Sequence, residues 1–97
     1  MAETLGGLSV ALGAKLKSFR DTAKLNQAQV AELVGLSRAS ISNIEHGRQP
    51  VTIETLMLIA KALHVSLKDL LPDDDEIQRK EQDRLFVQSV GLSHGNS

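Results

Sequence analysis

A short segment at residues 38–45, RASISNIE, combines an arginine, an asparagine and small residues. On a helix with about 3.6 residues per turn, Ile41 and Ile44 fall on one side. The other side then holds Arg38, Ala39, Ser42 and Asn43. Arginine can donate two hydrogen bonds to O6 and N7 of guanine, asparagine can pair with N6 and N7 of adenine, and alanine can contact a thymine methyl group. The spacing therefore predicts an outward face that suits a groove about 12 Å wide.

Patterns for catalysis or metal binding are weak in this sequence. The chain has no cysteine, which excludes disulfides, iron–sulfur clusters, thiolate zinc sites and cysteine nucleophiles. The histidines have no metal-like spacing with one another: they are His46, His64 and His94. The acidic run at residues 73–75 lacks the following glycine and the distal glutamate of a calcium loop, and no nucleophile elbow is present. We therefore expect no enzymatic activity, no cofactor and no metal ion.

Two short helices joined by a tight turn would position the outward face. Asn26 precedes QAQVAELV, and Gln29 stands at the third helical position, which is the spacing of a capping box. Gly35 suits the left-handed backbone that ends a helix, and Ser37 is the expected cap of the helix that follows. This arrangement is the signature of a helix-turn-helix, whose second helix projects from the domain.

Three further helices are expected around this pair. Apolar residues recur at spacings of four, three and four over residues 9–23, which predicts a helix capped by Ser9. A fourth helix along the chain is predicted over residues 53–63. Its expected buried face consists of Ile53, Leu56, Ile59, Ala60 and Leu63. A short fifth helix, LKDLL, ends at Pro72.

The last 25 residues differ in composition from the rest of the chain. The segment 73–97, DDDEIQRKEQDRLFVQSVGLSHGNS, is polar, and its acidic start favours a helix N-terminus. We predict a helix over residues 76–90 without a sustained heptad, and disorder over the final residues 93–97. The chain is thus divided into a domain at residues 1–72 and an acidic C-terminal tail.

The length and composition of the chain narrow the possible class of protein further. The chain has 97 residues, of which 41% are hydrophobic and 2% aromatic, so one small domain with an aliphatic core is expected. No apolar run approaches the roughly 18 residues of a membrane span, and the start lacks the basic region of a secretory signal, so we expect a cytoplasmic protein.

The net charge of −1 would by itself argue against a nucleic-acid partner. The charges, however, are unevenly spread. Residues 15–50 contain six basic and three acidic residues, whereas residues 51–97 contain five basic and eight acidic residues. A mildly basic segment is therefore joined to an acidic one, and it is the local patch that meets a polyanion.

The run LNQAQVAELVGLSRASISNIEHGRQPVTIETLMLIAKALHVSLKDLL resembles the Cro/phage-repressor helix-turn-helix family, also called the XRE family. The resemblance covers residues 12–72, about two-thirds of the chain. It implies an all-α, compact five-helix fold like that of lambda repressor, with room for an extra C-terminal helix. His64 departs from the glycine that is usual in the family, which affects only the local helix end.

The resemblance also implies roles for individual residues. The residues implied to contact bases are Arg38, Ala39, Asn43 and, as a weaker candidate, Ser42. The residues implied to contact DNA phosphates are Asn26, Gln27 and Arg48, and Gln27 is also a candidate to brace the recognition helix. Arg20 and Glu45 match a structural ion pair of the family, which joins the first helix to the end of the third.

The implied function is sequence-specific binding of double-stranded DNA for transcriptional regulation, with repression favoured. One recognition helix contacts only a few base pairs, so we expect a homodimer on a palindromic operator, with half-sites about one helical turn apart. We hypothesise that the copies associate through the fifth helix and residues 76–90, because apolar residues are left over there: Leu67, Leu70, Leu71, Leu85, Phe86 and Val90.

Two alternatives stay open. The first alternative is that the chain is the antitoxin of a toxin–antitoxin pair. It would then bind DNA to regulate its own operon and bind the toxin through its C-terminal region. A third reading is an interaction module that has lost DNA binding, which the Arg38 and Asn43 face makes less favourable. No membrane partner is expected in any of these cases.

Overall fold

The computed structural model describes the backbone of residues 2–95 and the side chains of residues 6–87. This part of the chain forms helices and contains no strand. The elements in order are α1 (Ala2–Thr22), α2 (Gln27–Val34), α3 (Arg38–Glu45), α4 (Ile53–Ala62), α5 (Leu67–Leu70) and α6 (Asp74–Gly95). The predicted all-α fold is confirmed, with the extra C-terminal helix present as α6. Across the described residues, every helix is too short or too polar to span a bilayer.

Side-chain caps begin the helices of the central segment. The side-chain oxygen of Asn26 accepts a hydrogen bond from the Gln29 N–H at 2.8 Å, and the Gln29 side chain accepts one from the Asn26 N–H at 2.8 Å. This reciprocal pair is a complete capping box. Ser37, Thr52 and Ser66 likewise accept a backbone hydrogen bond at the starts of α3, α4 and α5. These short helices therefore begin where local chemistry satisfies their first N–H groups.

Within the described residues, four helix ends share one backbone arrangement. A residue with positive φ follows each helix: Lys24 (61°), Gly35 (77°), Gly47 (71°) and His64 (59°). The next N–H in each case donates to the carbonyl five residues back: Leu25 to Arg20, Leu36 to Ala31, Arg48 to Asn43 and Val65 to Ala60. This is the Schellman motif. Glycine adopts its left-handed backbone freely, whereas a lysine or histidine does so at a steric cost.

The core is aliphatic and lies among α1 to α5. Its buried side chains are Leu16, Val30, Ala31, Ile41, Ile44, Leu56, Ile59, Ala60, Leu63 and Leu70. The prediction that Ile53 belongs to the buried face of α4 is wrong, because this residue is 58% exposed. Ile53 is the first residue of α4 and lies about 70° around the helix from the middle of the face formed by the other four predicted residues.

The first helix begins well before the predicted cap, so Ser9 lies inside α1 and does not cap it. The added turns pack against α6 through glycine. A Cβ on Gly7 would lie 2.8 Å from the Glu81 Cβ and 3.0 Å from the Ile77 carbonyl oxygen. Glycine lowers helix propensity, but here it permits a close approach that stabilises the helix by packing. We call residues 2–15 of α1 together with α6 the terminal helix pair.

The last helix is longer than the predicted span of residues 76–90. Asp73 caps it, since its side chain accepts from the Glu76 N–H at 2.7 Å and the Glu76 carboxylate accepts from the Asp73 N–H at 3.0 Å. The acidic run is therefore a helix start. The backbone of α6 is helical through Gly95, and the disorder predicted for residues 93–97 stays a prediction. Residues 96 and 97 lie outside the described part of the chain.

Candidate nucleic-acid interface

The outward face of α3 presents side chains that are available to a ligand. Ile41 and Ile44 are each 3% exposed and hold the opposite side of α3 in the core. The predicted base-contacting residues lie on the outer side: Arg38 and Ala39 are exposed, and Ser42 and Asn43 are half-buried. Within the described part of the chain, the Arg38, Ser42 and Asn43 side chains make no hydrogen bond or ion pair. Their donors and acceptors are therefore free for a partner.

The start of α3 is held by its cap. The Ser37 hydroxyl accepts from the Ser40 N–H at 3.0 Å and donates to the Ser40 hydroxyl at 3.1 Å. These bonds define the first turn, on which Arg38 and Ala39 stand. The base-contacting candidates are thus carried by a regular, capped helix, which positions side chains better than a mobile loop does.

The end of α3 is held by two features that the sequence analysis did not identify. A Cβ on Gly13 of α1 would overlap the carbonyl oxygens of Ile44 and Glu45, so α1 crosses the end of α3 at backbone distance. His46 Nδ1 lies 2.7 Å from the Ser42 carbonyl oxygen. The available signal for the first was a glycine inside a helical pattern, which often marks a close backbone approach.

A buried network joins α3 to the two helices before it. Arg20 Nε donates to Glu45 Oε2, and Arg20 Nη2 donates to Glu45 Oε1 at 3.0 Å. Gln27 Nε2 donates to the same Oε1 at 3.0 Å. Arg20 Nη1 also donates to the Leu25 carbonyl at 2.8 Å. Because Glu45 is the last residue of α3, this network sets the position of α3 relative to α1 and α2.

The network is almost closed to solvent, with Arg20 9% and Glu45 8% exposed. The hydrogen bond to Glu45 is the main cause that raises the pKa of Arg20, against the opposing effect of burial. Removing one member would leave the other charge buried and uncompensated, which is far more costly than losing an exposed pair. The network therefore has a positioning role.

The phosphate-contacting candidates lie at the start of α2 and just beyond α3. Asn26 uses its side-chain oxygen as a cap, and its amide nitrogen stays unengaged within the described residues. Gln27 is half-buried and braces Glu45. Arg48 is exposed, and its backbone N–H donates to the Asn43 carbonyl at 2.8 Å, which fixes it directly after α3. The contact of these three residues with phosphate stays a prediction.

Comparison with known proteins identifies relatives of this arrangement. The helix-turn-helix family model HTH_3, of the Cro/C1 type, matches residues 16–70. Control protein C.SmaI of Serratia marcescens is 40% identical over 60 residues, covering 62% of this chain and 71% of that protein. Antitoxin PezA of Streptococcus pneumoniae serotype 4 is 36% identical over 63 residues, covering 65% of this chain. The chain spans only 40% of PezA.

A solved structure supports the same architecture. The crystal structure of the clp gene regulator ClgR from C. glutamicum aligns with a TM-score of 0.67 and 34% identity, covering 76% of this chain and 91% of that one. The segment matched by the family model contains α2 to α5 and the last third of α1, residues 16–22. Residues 2–15 and α6, which form the terminal helix pair, lie outside that match.

Proposed function

Because this chain belongs to the Cro/C1-type (XRE) helix-turn-helix family, we propose that it binds specific double-stranded DNA sequences as a transcriptional regulator acting in the cytoplasm. The outer face of α3 is the single observation that carries the proposal. Its polar side chains make no hydrogen bond or ion pair with the side chains and backbone that the structure describes, while the opposite face is buried in the core. An α-helix with such a face fits the major groove, where each base pair presents a distinct pattern of donors and acceptors.

The residues divide into two tasks. Arg38 can donate two hydrogen bonds to O6 and N7 of guanine, and Asn43 can donate one to N7 and accept one from N6 of adenine. Ala39 suits a thymine methyl group, and Ser42 adds a short donor or acceptor. Phosphate contacts from Asn26, Gln27 and Arg48 fix the position of α3 along the duplex without specifying its sequence. The Arg20–Glu45 pair touches neither bases nor phosphates, and keeps α3 in place.

The regulator acts as a homodimer on a palindromic operator. One α3 contacts only a few base pairs, which is too little to select a site in a genome. Two copies related by a two-fold axis contact two half-sites about 34 Å apart, one turn of the duplex. Such a dimer, bound over a promoter, represses transcription by occupying it.

Selection of bound sequences from a random DNA pool tests this proposal with the full chain. We expect an enriched sequence that is palindromic, with half-sites about ten base pairs apart. Arg38→Ala should relax the preference at one position per half-site and weaken specific binding by about 1–3 kcal/mol. Arg48→Ala should weaken all sequences alike and reduce the salt slope of binding by about one phosphate contact per copy.

Arg79→Ala is the matched control, since Arg79 is exposed and lies on α6. It should leave sequence preference and affinity unchanged. A random pool without enrichment, or enrichment that neither Arg38→Ala nor Arg48→Ala alters, would contradict the assignment of α3 as the DNA-contacting helix.

The likeness to antitoxin PezA favours one second candidate, in which the chain neutralises a toxin and represses its own operon. The C-terminal region would then bind the toxin, and α6 does present exposed apolar side chains there: Leu85, Phe86 and Val87. Co-expression with the product of the adjacent reading frame tests this candidate. Growth arrest by that product alone, relieved by this chain, supports it, whereas a harmless neighbour rejects it.

A further inference from the structure

The solvent side of α4 is unusually apolar. Ile53, Met57 and Leu58 are 58%, 55% and 50% exposed, although they lie within a helix of ten residues. Scattered exposed leucines are normal on a protein surface, but a contiguous apolar patch on a small domain marks an interaction site. The other side of α4 is in the core, and about half of the surface of each of these three side chains is left to solvent.

Two opposite charges accompany the patch. Glu54 and Lys61 are both exposed, and within the described residues neither makes a hydrogen bond or an ion pair. They are seven positions apart, so they lie about 20° from each other around the helix and about 10.5 Å apart along its axis. Met57 and Leu58 lie between them, one about 50° to each side of the line that joins the two charges.

This pattern is self-complementary when the helix direction is reversed. The midpoint of Glu54 and Lys61 falls between Met57 and Leu58. Rotation by 180° about an axis through that point exchanges the positions of the two charges and the positions of the two apolar residues. A two-fold interface requires such a surface, because each contact between the copies must occur twice.

We propose that α4 packs antiparallel against α4 of a second copy of this chain, with Glu54 of each copy paired with Lys61 of the other around a Met57–Leu58 centre. The inference rests on the proposed function, which needs a homodimer, and it names the surface of that dimer. The contact uses no residue of α3, so the DNA-contacting face of both copies stays available.

The proposed dimer surface on α4 differs from the sequence-based hypothesis, in which the copies associate through the fifth helix and residues 76–90. Leu70 is completely buried and Leu67 packs against the core. Of the three leucines in and directly after α5, only Leu71, at 45% exposure, remains. On α6, Leu85, Phe86 and Val87 are successive residues, which spread over about 200° of the helix and form no single face. The Val90 side chain lies outside the described residues.

Charge reversal tests the pairing by sedimentation of the full chain without DNA. Glu54→Lys or Lys61→Glu alone brings like charges together at both ends of the contact, so the dimer dissociation constant should rise about tenfold or more. The double variant E54K/K61E restores opposite charges and should regain the wild-type dimer. An equimolar mixture of the two single variants should form heterodimers, because each charge then faces its opposite.

Arg79→Glu is the matched control, because it makes the same change of charge as Lys61→Glu on the exposed side of α6. It should leave the dissociation constant unchanged. Met57→Gln, which adds no charge, should also weaken the dimer, and circular dichroism checks that each variant is folded. Any one of three results would overturn the proposal. The first is that both single charge variants dimerise like the wild type, and the second is that their mixture forms no heterodimers. The third is a wild-type chain that stays monomeric at about 100 μM, far above usual homodimer dissociation constants.

Binding to a single half-site separates this result from a failure of the proposed function. A monomeric variant should still contact one half-site, with weaker overall affinity for the palindrome. If the wild-type chain binds no DNA at all while the charge variants behave as expected, the α4 dimer stands and the DNA-binding proposal fails.

Discussion

The helix-turn-helix segment, residues 16–70, and the terminal helix pair are both helical, but different contacts hold them. The former buries a continuous aliphatic core among short helices. The latter brings two helices together through glycine and through the ion pair of Lys15 with Glu76 at 3.4 Å. Similar secondary structure therefore rests on apolar burial in one region and on close backbone approach in the other, and the two should respond differently to mutation.

An arginine–glutamate pair among the described side chains of each region illustrates this contrast. Arg20 and Glu45 are 25 residues apart in sequence and link two helices, with side-chain exposures of 10% and 3%. Arg84 and Glu81 lie one turn apart on α6, with exposures of 26% and 16% and an Nη2–Oε2 distance of 2.6 Å. The Arg20–Glu45 pair is buried and joins separate helices, whereas the Arg84–Glu81 pair lies within one helix and is more exposed, with the Arg84 side chain against Gly6 of α1.

The largest expected difference comes from breaking these two pairs in the same way. Arg20→Met should lower the free energy of unfolding by about 3–5 kcal/mol, because the Glu45 charge stays buried without its partner. Arg84→Met should cost clearly less than Arg20→Met, because the Arg84–Glu81 pair is more exposed than the Arg20–Glu45 pair. Urea denaturation followed by circular dichroism measures both. Equal losses of stability in the two variants would show that the two regions depend equally on their arginine–glutamate pairs. The double variant R20M/E45M should recover part of the stability that Arg20→Met loses.

The next largest difference in stability between the two regions should come from replacing a leucine in each with alanine. Leu56 is 2% exposed in the core, and Leu56→Ala should cost about 2–5 kcal/mol through lost burial and a cavity. Leu85 on α6 is 45% exposed, and Leu85→Ala should change stability by less than about 0.5 kcal/mol. The same denaturation experiment applies. A large loss at Leu85 would indicate that α6 contributes apolar burial that its exposure does not suggest.

Glycine substitution tests the terminal helix pair directly. Gly7→Ala places a Cβ against Glu81 and the Ile77 carbonyl, and should cost about 1–3 kcal/mol through overpacking. Hydrogen exchange should show reduced protection of α6 amides, with α2 to α4 nearly unchanged. Gly35→Ala is a useful contrast, because a Cβ there meets nothing within 4 Å and only the positive φ opposes it. Unchanged protection of α6 in Gly7→Ala would contradict the close approach.

The smallest expected effect is the pH dependence of the stability that the Arg84–Glu81 pair contributes. The hydrogen bond from Arg84 is the main cause that lowers the pKa of Glu81. The stabilisation is therefore present above the unfolded-state pKa of about 4.3 and is lost as the pH falls through the lower folded-state pKa. The stability difference between wild type and Glu81→Gln should shrink between about pH 6 and pH 3, with Gln82→Ala as a control that shows no such trend.

Several local features could be predicted because their causes lie within one turn of the chain. Asn26 and Ser37 cap their helices by bonds to residues three positions ahead, and Gly35 adopts the left-handed backbone expected of it. His64 does the same, with a φ of 59°. The buried side of α3 follows from helical periodicity, which places Ile41 and Ile44 together.

Other features depended on residues far apart in sequence. The predicted cap at Ser9 is wrong, because α6 packs on the preceding turns and extends α1 through Gly7. Propensity alone disfavours a helix there, and tertiary packing outweighs it. Helical periodicity predicts Ile53 in the buried face, but periodicity alone does not show where the edge of that face lies when the neighbouring helices are unknown.

The sequence by itself determined the central helices, their caps and the polar face of α3, since short-range hydrogen bonds and apolar spacing encode these features. Only the tertiary structure showed that Gly13 brings α1 onto the end of α3 and that Gln27 completes the buried Arg20–Glu45 network. It also showed that Glu54 and Lys61 of α4, beside exposed apolar side chains, have no partner among the described residues. Such arrangements arise when separate helices pack, and a spacing rule within one helix contains no information about its neighbours.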